Sequence, residues 1–143
     1  MKIRKAKVGD YPDIKELVNE FGFECDLKVM KNRLSTILEK DIHKVFVAEI
    51  ENRVIGFVDF DHYEVVYSNP GINITGLVVN EKHRNKGIGS ALITEVEKYA
   101  KLNGMDFIRV NSGSQRIDAH RFYRKNGYDN EKDQKRFLKL FDR

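Results

Sequence analysis

The sequence predicts an α/β fold, a mixed β-sheet with helices on its faces. Three observations carry this expectation. Two amphipathic helical patterns stand near the N-terminus. A block of β-rich runs fills the middle of the chain. Beyond it come a strand, a glycine-bearing loop, a long helix and another strand in succession.

Ile3, Ala6 and Val8 among basic residues suggest a short first strand. Asp10 can cap the next helix, with Pro12 tolerated in its first turn. Tyr11, Ile14, Leu17, Val18 and Phe21 recur at helical spacing, and Gly22 ends the run. A second helix is expected from about Asp26 to Glu39, with Leu27, Met30, Leu34, Ile37 and Leu38 on its inner face. Lys44–Ile50 and Arg53–Val66 read as strands joined by a Glu51-Asn52 turn, a hairpin signal. Ser68-Asn69-Pro70-Gly71 marks a loop, and Ile72–Val79 is apolar enough for a central strand. The helix from Gly87 to about Leu102 turns Ile88, Leu92, Ile93, Val96 and Ala100 inward, and Asn103-Gly104 stops it. Phe107–Val110 is a further strand. Asp118–Asn126 is a short helix, capped by Asp118 and ended by Gly127. Arg136–Phe141 reads as a last strand able to pair with a second copy in a homodimer, and another strand could lie near Tyr128.

The chain has 143 residues, no internal repeat and no linker, which predicts a single domain over residues 1–143. A chain of this length buries roughly two-thirds of its unfolded surface and needs no disulfide or metal to fold. Cys25 is the only cysteine, which excludes a disulfide scaffold and suits a reducing cytoplasm. Ten glycines and two prolines exclude a collagen-like chain. The balance of 26 Lys+Arg against 22 Asp+Glu gives +4, enough for an anionic ligand but no argument for nucleic acid. No apolar run approaches a membrane span, and the basic N-terminus lacks the apolar stretch of a signal peptide, so a cytoplasmic protein is expected.

The most informative stretch is Leu77–Ser90 (LVVNEKHRNKGIGS). A strand ends, a basic loop comes next, and glycines open a helix. Helix N-termini expose unpaired N–H groups and partial positive charge, which suits phosphate. Gly87 and Gly89 allow close approach to the backbone, Arg84 and Lys86 add charge, and Ser90 adds a hydroxyl. A pyrophosphate is the expected ligand, although the order is neither Walker nor GxGxxG. Taken locally, the same pattern fits a tight turn with solvated basic residues.

Arg84-x-x-Gly87-x-Gly89 resembles the Arg/Gln-x-x-Gly-x-Gly/Ala signature of GCN5-related N-acetyltransferases, in the right place between a strand and a helix. Ala119-His-Arg-Phe-Tyr-Arg-Lys-Asn-Gly-Tyr128 is similar to that family's C-terminal helix motif. The order of elements matches along nearly the whole chain. The resemblance implies a splayed sheet of the acyl-CoA N-acyltransferase type, with the pantetheine of acetyl-CoA, the co-substrate, between Ile72–Val79 and Phe107–Val110. It implies that Leu77, Val78 and Val79 offer backbone groups to the pantetheine. Arg84, Asn85, Lys86, Gly87, Ile88, Gly89 and Ser90 cradle the pyrophosphate, and Tyr123 faces the thioester sulfur as proton donor. Two positions depart from the pattern. Thr75 stands where many members carry a glutamate base, and Arg116 stands where many carry Asn and could contact cofactor instead.

The resemblance implies acetyl transfer to a primary amine, expected to belong to a small molecule, with no metal. The alternatives are a protein N-terminus or lysine as acceptor, or a CoA-binding sensor without catalysis. Asp59, Asp61, His62, Glu64, Glu24 and water are the candidate bases. Alternation puts Asp59 and Asp61 on one face and His62 and Glu64 on the other. His43, His83 and His120 are too scattered for a metal site, and Cys25 has no clear partner as a nucleophile.

Overall fold

A computed structural model describes residues 1–142. Chain contacts divide it into two compact units, Met1–Asn111 and the residues from Ser112 on. The first unit holds strands β1 (Lys2–Lys5), β2 (His43–Ile50), β3 (Arg53–Tyr63), β4 (Gly71–Val79) and β5 (Ile108–Val110), and helices α1 (Tyr11–Glu20), α2 (Leu27–Leu38) and α3 (Ile88–Leu102). The five strands form one open sheet in chain order. Neighbours run antiparallel except β4 and β5, which are parallel. No helix among the described residues is long and apolar enough to cross a membrane.

The two faces of the sheet have separate cores. Ile14 and Leu17 of α1 and Met30 and Leu34 of α2 pack on Val45, Val47, Phe57 and Val78. Alternation sends Phe46, Phe60 and Ile74 to the opposite face, under α3. There Tyr99 meets Phe46 and Phe60 edge-on, with ring centres 6.2 and 5.2 Å apart. Leu92, Ile93, Val96 and Ala100 of α3 are buried, as the spacing predicts.

Two irregularities shape the sheet on either side of β4. The β3–β4 register shifts between Asp59 and Phe60, so Asp59 faces Gly76 while Phe60 faces Ile74, and Thr75 is left as a bulge. The β4–β5 ladder holds only Ile72–Ile108, Asn73–Arg109 and Ile74–Val110. Beyond Ile74, β4 runs on through Thr75–Val79 with no ladder partner on that side among the described residues, and this parting is the splay expected of the sheet.

Several expectations are corrected. Asp26 caps α2 by accepting from the Val29 N–H at 2.8 Å, but Leu27 is half exposed rather than inward. Asp10 makes no side-chain cap to α1. Its carboxylate is taken by the Lys7 N–H and by a two-bond pairing with Arg4. β3 ends at Tyr63, not Val66.

The second unit contains α4 (Ile117–Lys125), whose cap position is Arg116; Asp118 lies in the first turn instead. Residues 126–142 hold no strand, so neither Arg136–Phe141 nor the stretch near Tyr128 forms the one expected. Phe137, Leu138, Leu140 and Phe141 are 90, 64, 83 and 76% exposed, so their apolar pattern reflects no burial. A strand also needs a neighbour for its N–H and C=O groups, and no described residue supplies a ladder here.

Phe60 is fully buried at the centre of the α3 face. Phe60→Ala is expected to lower the unfolding free energy by about 3–5 kcal/mol, read from urea denaturation. A loss below about 1 kcal/mol would mean that this face is not close-packed.

Candidate active site

Leu77, Val78 and Val79 form the part of β4 that has left β5 behind. Val78 is buried among the α1 and α2 contacts, while Leu77 and Val79 point to the α3 face. The loop after Val79 is tied down at both ends. Asn80 caps a short turn, Glu81–His83, by accepting from the Lys82 N–H. The Glu20 carboxylate of α1 accepts from the Asn80 side chain and the Glu81 N–H. Arg84 folds back so that its Nε donates to the Val79 carbonyl at 3.2 Å.

Asn85 and Gly87 then adopt φ of 62° and 81°. Asparagine and glycine are the residues that enter this left-handed region at least cost. Gly87 is the cap position of α3, and the first helical bond runs from the Ala91 N–H to the Gly87 carbonyl at 3.0 Å. The N–H groups of Ile88, Gly89 and Ser90 therefore have no acceptor within the helix. Ile88 is itself buried, so only its backbone faces the loop. Lys82, Arg84 and Lys86 join no ion pair among the described residues. Free donors, a helix N-terminus and unpaired cations together suit an anion of phosphate type.

Asp59 faces the bulge from β3. The register brings the imidazole of His43, on β2, onto its carboxylate, with Nε2 against Oδ1. Burial pushes the Asp59 carboxyl above its ordinary value, against the lowering effect of His43; the nearby charge of Asp61 adds to the rise. A half-buried carboxylate hydrogen-bonded to imidazole can take up and hold a proton. Thr75 donates its hydroxyl to the Asp59 carbonyl. His43 is not among the bases the sequence offers, because sixteen residues separate it from Asp59 and only strand pairing joins them.

Of the other candidates, Asp61 shares the face of Asp59, and His62, Glu64 and Glu24 lie elsewhere. His62 lies on the α3 face, with Nε2 2.7 Å from the Tyr99 hydroxyl and Nδ1 3.9 Å from exposed Glu64. The expected opposition of Asp59 and Asp61 to His62 is therefore seen. Glu24 and Cys25 border a shallow hollow between α1 and α2 with Lys15, Asn19 and Asp26.

Arg116 and Tyr123 belong to the second unit, whereas every other predicted site residue belongs to the first. Tyr123 meets Phe122 and Tyr128 edge-on at 5.3 and 6.1 Å, and its carbonyl accepts from the Tyr128 N–H. Burial raises its phenol pKa, partly offset by the charge of Arg116. The hydroxyl therefore stays protonated at neutral pH and can act as a donor.

The left-handed turn gives a direct check. Gly87→Val is expected to cost about 1–2 kcal/mol, since a β-branched residue resists φ of this sign, whereas Gly87→Asn should cost less. No Cβ at Gly87 would meet a neighbour within 4 Å, so the difference reports conformation and not crowding. Equal stability of the two variants in urea would rule out a left-handed Gly87.

Comparisons with known proteins place this geometry. The model of the acetyltransferase (GNAT) family matches residues 11–128. The uncharacterised N-acetyltransferase YhdJ of Bacillus subtilis is 31% identical over 108 residues, covering 75% of each chain. The aminoalkylphosphonate N-acetyltransferase of Salmonella typhimurium is 26% identical over 130 residues, covering 89% of this chain and 84% of that one. Among solved structures, an aminoglycoside 6′-N-acetyltransferase of Acinetobacter haemolyticus shares the fold with a TM-score of 0.85 at 20% identity, over 99% of this chain and 100% of that one.

Proposed function

The chain belongs to the acetyltransferase (GNAT) family, and from that premise we propose that it transfers the acetyl group of acetyl-CoA to the primary amine of a small molecule, by direct attack within a ternary complex. The observation that carries the reading is the parting of β4 from β5 beside a loop of free N–H groups and unpaired cations. The parted stretch Thr75–Val79 is about 17 Å long at ~3.4 Å per residue, the scale of an extended pantetheine arm. The names of the Salmonella relative and of the Acinetobacter neighbour describe small polar amines, which supports a small-molecule acceptor.

Acetyl-CoA supplies an activated acyl group; the chain's part is to hold, polarise and move protons. The N–H groups of Ile88, Gly89 and Ser90, with Arg84, Asn85, Lys86 and Gly87, hold the pyrophosphate. Leu77, Val78 and Val79 offer backbone groups to the pantetheine, and a backbone N–H of Val78 or Val79 stabilises the oxyanion as the amine attacks. Thr75 cannot serve as a base. The His43–Asp59 pair, one strand away across the bulge, takes the proton released from the amine. Tyr123 protonates the departing thiolate, and Arg116 is assigned to the cofactor. No covalent enzyme intermediate forms, so Cys25 is dispensable.

Thiol release from acetyl-CoA across a library of amines tests the reading, and turnover is expected on small polar primary amines. Cofactor binding with no turnover on any amine would make the protein a CoA-binding regulator. Turnover confined to peptide amines would move the acceptor to proteins.

The proton carriers are separable by pH. The base works deprotonated, so the rate rises as pH climbs through its pKa. The phenol works protonated, so the rate falls as pH climbs through a value that burial holds above the ordinary ~10. With the acceptor's own ionisation divided out, Asp59→Asn should remove the acidic limb and Tyr123→Phe the alkaline one. Each should lower kcat by about 10²-fold or more near neutrality. Tyr123→Phe with wild-type kcat, under conditions where chemistry limits the rate, would make Tyr123 a packing residue only.

A further inference from the structure

A second line of polar side chains crosses the sheet one step beyond Asp59. Strand pairing aligns His43 with Asp61, Asp61 with Asn73, and Asn73 with Arg109. Residues paired across neighbouring strands share a face, so these four leave the sheet together, on the face that carries Asp59. Helices α1 and α2 pack on Val45, Val47, Phe57 and Val78, at the other end of that face. At ~4.8 Å per strand the backbones of Asp61 and Arg109 stand about 10 Å apart.

The guanidinium of Arg109 is held in place by a constructed support. It lies over the ring of Tyr63, 4.4 Å from the ring centre. Phe107 braces Tyr63 edge-on at 5.9 Å, and the Tyr67 hydroxyl meets the Tyr63 hydroxyl at 3.2 Å. Phe107 itself occupies space that a Cβ on Gly71 would fill, at 2.4 Å. Yet Arg109 forms no ion pair among the described residues. A guanidinium held over a ring without an ion-pair partner keeps N–H groups free to match a carboxylate or phosphonate. Beside it, Oδ1 of Asn73 is buried without a hydrogen-bond partner. An orphaned buried acceptor is costly, and an N–H of a bound molecule would satisfy it.

The β4–β5 ladder closes at Ile74–Val110, one residue from Asn73 and Arg109. On the proposed transferase activity, on which this inference rests, the thioester reaches to that closing point. We infer that the acceptor is a zwitterion: a primary amine that also carries a carboxylate, phosphonate or phosphate a few bonds away. Arg109 holds the anion, Asn73 accepts from the nitrogen, and Asp59 with Asp61 draws the ammonium end. A polycationic acceptor would instead set a second ammonium against Arg109, a like-charge contact that selects against it.

The test uses matched acceptors with the full chain and acetyl-CoA, read by thiol release. The pairs are 3-aminopropylphosphonate with propylamine, and β-alanine with its amide; spermidine represents polycations. In the wild type, kcat/KM for the anionic member of at least one pair should exceed that for its neutral partner by about tenfold or more, and exceed that for spermidine. Arg109→Gln should bring the anionic-to-neutral ratio close to one, chiefly through KM, and Arg109→Lys should restore part of it. Equal kcat/KM within both pairs, a preference for spermidine, or an undiminished ratio in Arg109→Gln would overturn the inference while leaving the transferase intact. No thiol release with any amine would overturn the transferase reading and this one with it. If Arg109→Gln fails to fold, the wild-type ratios still decide, since they need no variant.

Discussion

Three register pairs hold β5 to β4, and everything proposed for this protein depends on their ending at Ile74. A parallel pair that continued to Val79 would satisfy the backbone of β4 on both sides and leave nothing to offer a ligand. Because it stops, alternate residues of the stretch Thr75–Val79 keep hydrogen-bonding groups for which the sheet supplies no neighbour. On the proposed function, the amides of the cofactor's arm meet these groups. The α3 N-terminus lies just past the end of that strand, with the loop between them fastened by Arg84 to Val79 and by Glu20 to Asn80 and Glu81. The fastening fixes the direction of the free N–H groups in advance, so little order has to be imposed when an anion arrives.

The fold was legible in the sequence wherever periodicity and turn chemistry agreed. The α3 face, with Leu92, Ile93, Val96 and Ala100 inward, follows from spacing alone, and Glu51-Asn52 marked the β2–β3 turn, where both residues take positive φ. The sequence failed where a pattern had no partner to act on. Arg136–Phe141 has strand-like composition, but a strand is a relation between two segments, and composition describes only one. Asp10 and Asp118 have the chemistry of helix caps. Asp10 found a stronger use with Arg4, and α4 begins two residues too early for Asp118 to cap it. Capping competes with whatever else a carboxylate can reach.

The site was legible along the chain and obscure across it. Leu77–Ser90 is contiguous, so the strand, the basic loop and the glycine-capped helix could be read together. The His43–Asp59 pair is not, and neither is the row through Asp61, Asn73 and Arg109. Both exist only through register, which a bulge after Ala48 shifts within the β2–β3 hairpin and which the long connection before β5 leaves open. The β3–β4 bulge illustrates the point. Thr75 looked like a missing base on β4, and the extra residue there sets Asp59 of β3 opposite Gly76 and leaves Thr75 without a register partner.

The contact between Gly71 and Phe107 gives the parting a fixed depth. Sliding β5 by one residue along β4 would reverse which side chains face each way, sending Arg109 to the α3 side and driving a large ring into buried strands. Only a residue without a side chain tolerates the Phe107 ring at that distance, so the parallel pair has one register that fits. The cleft therefore behaves as a gauge. Its closed end lies at Ile74, where the register fixed by Gly71 and Phe107 ends, and its open end at the glycine that caps α3. A ligand spanning the two must have an arm of matching length, so selection by reach is built into the backbone before any side chain reads the ligand's chemistry.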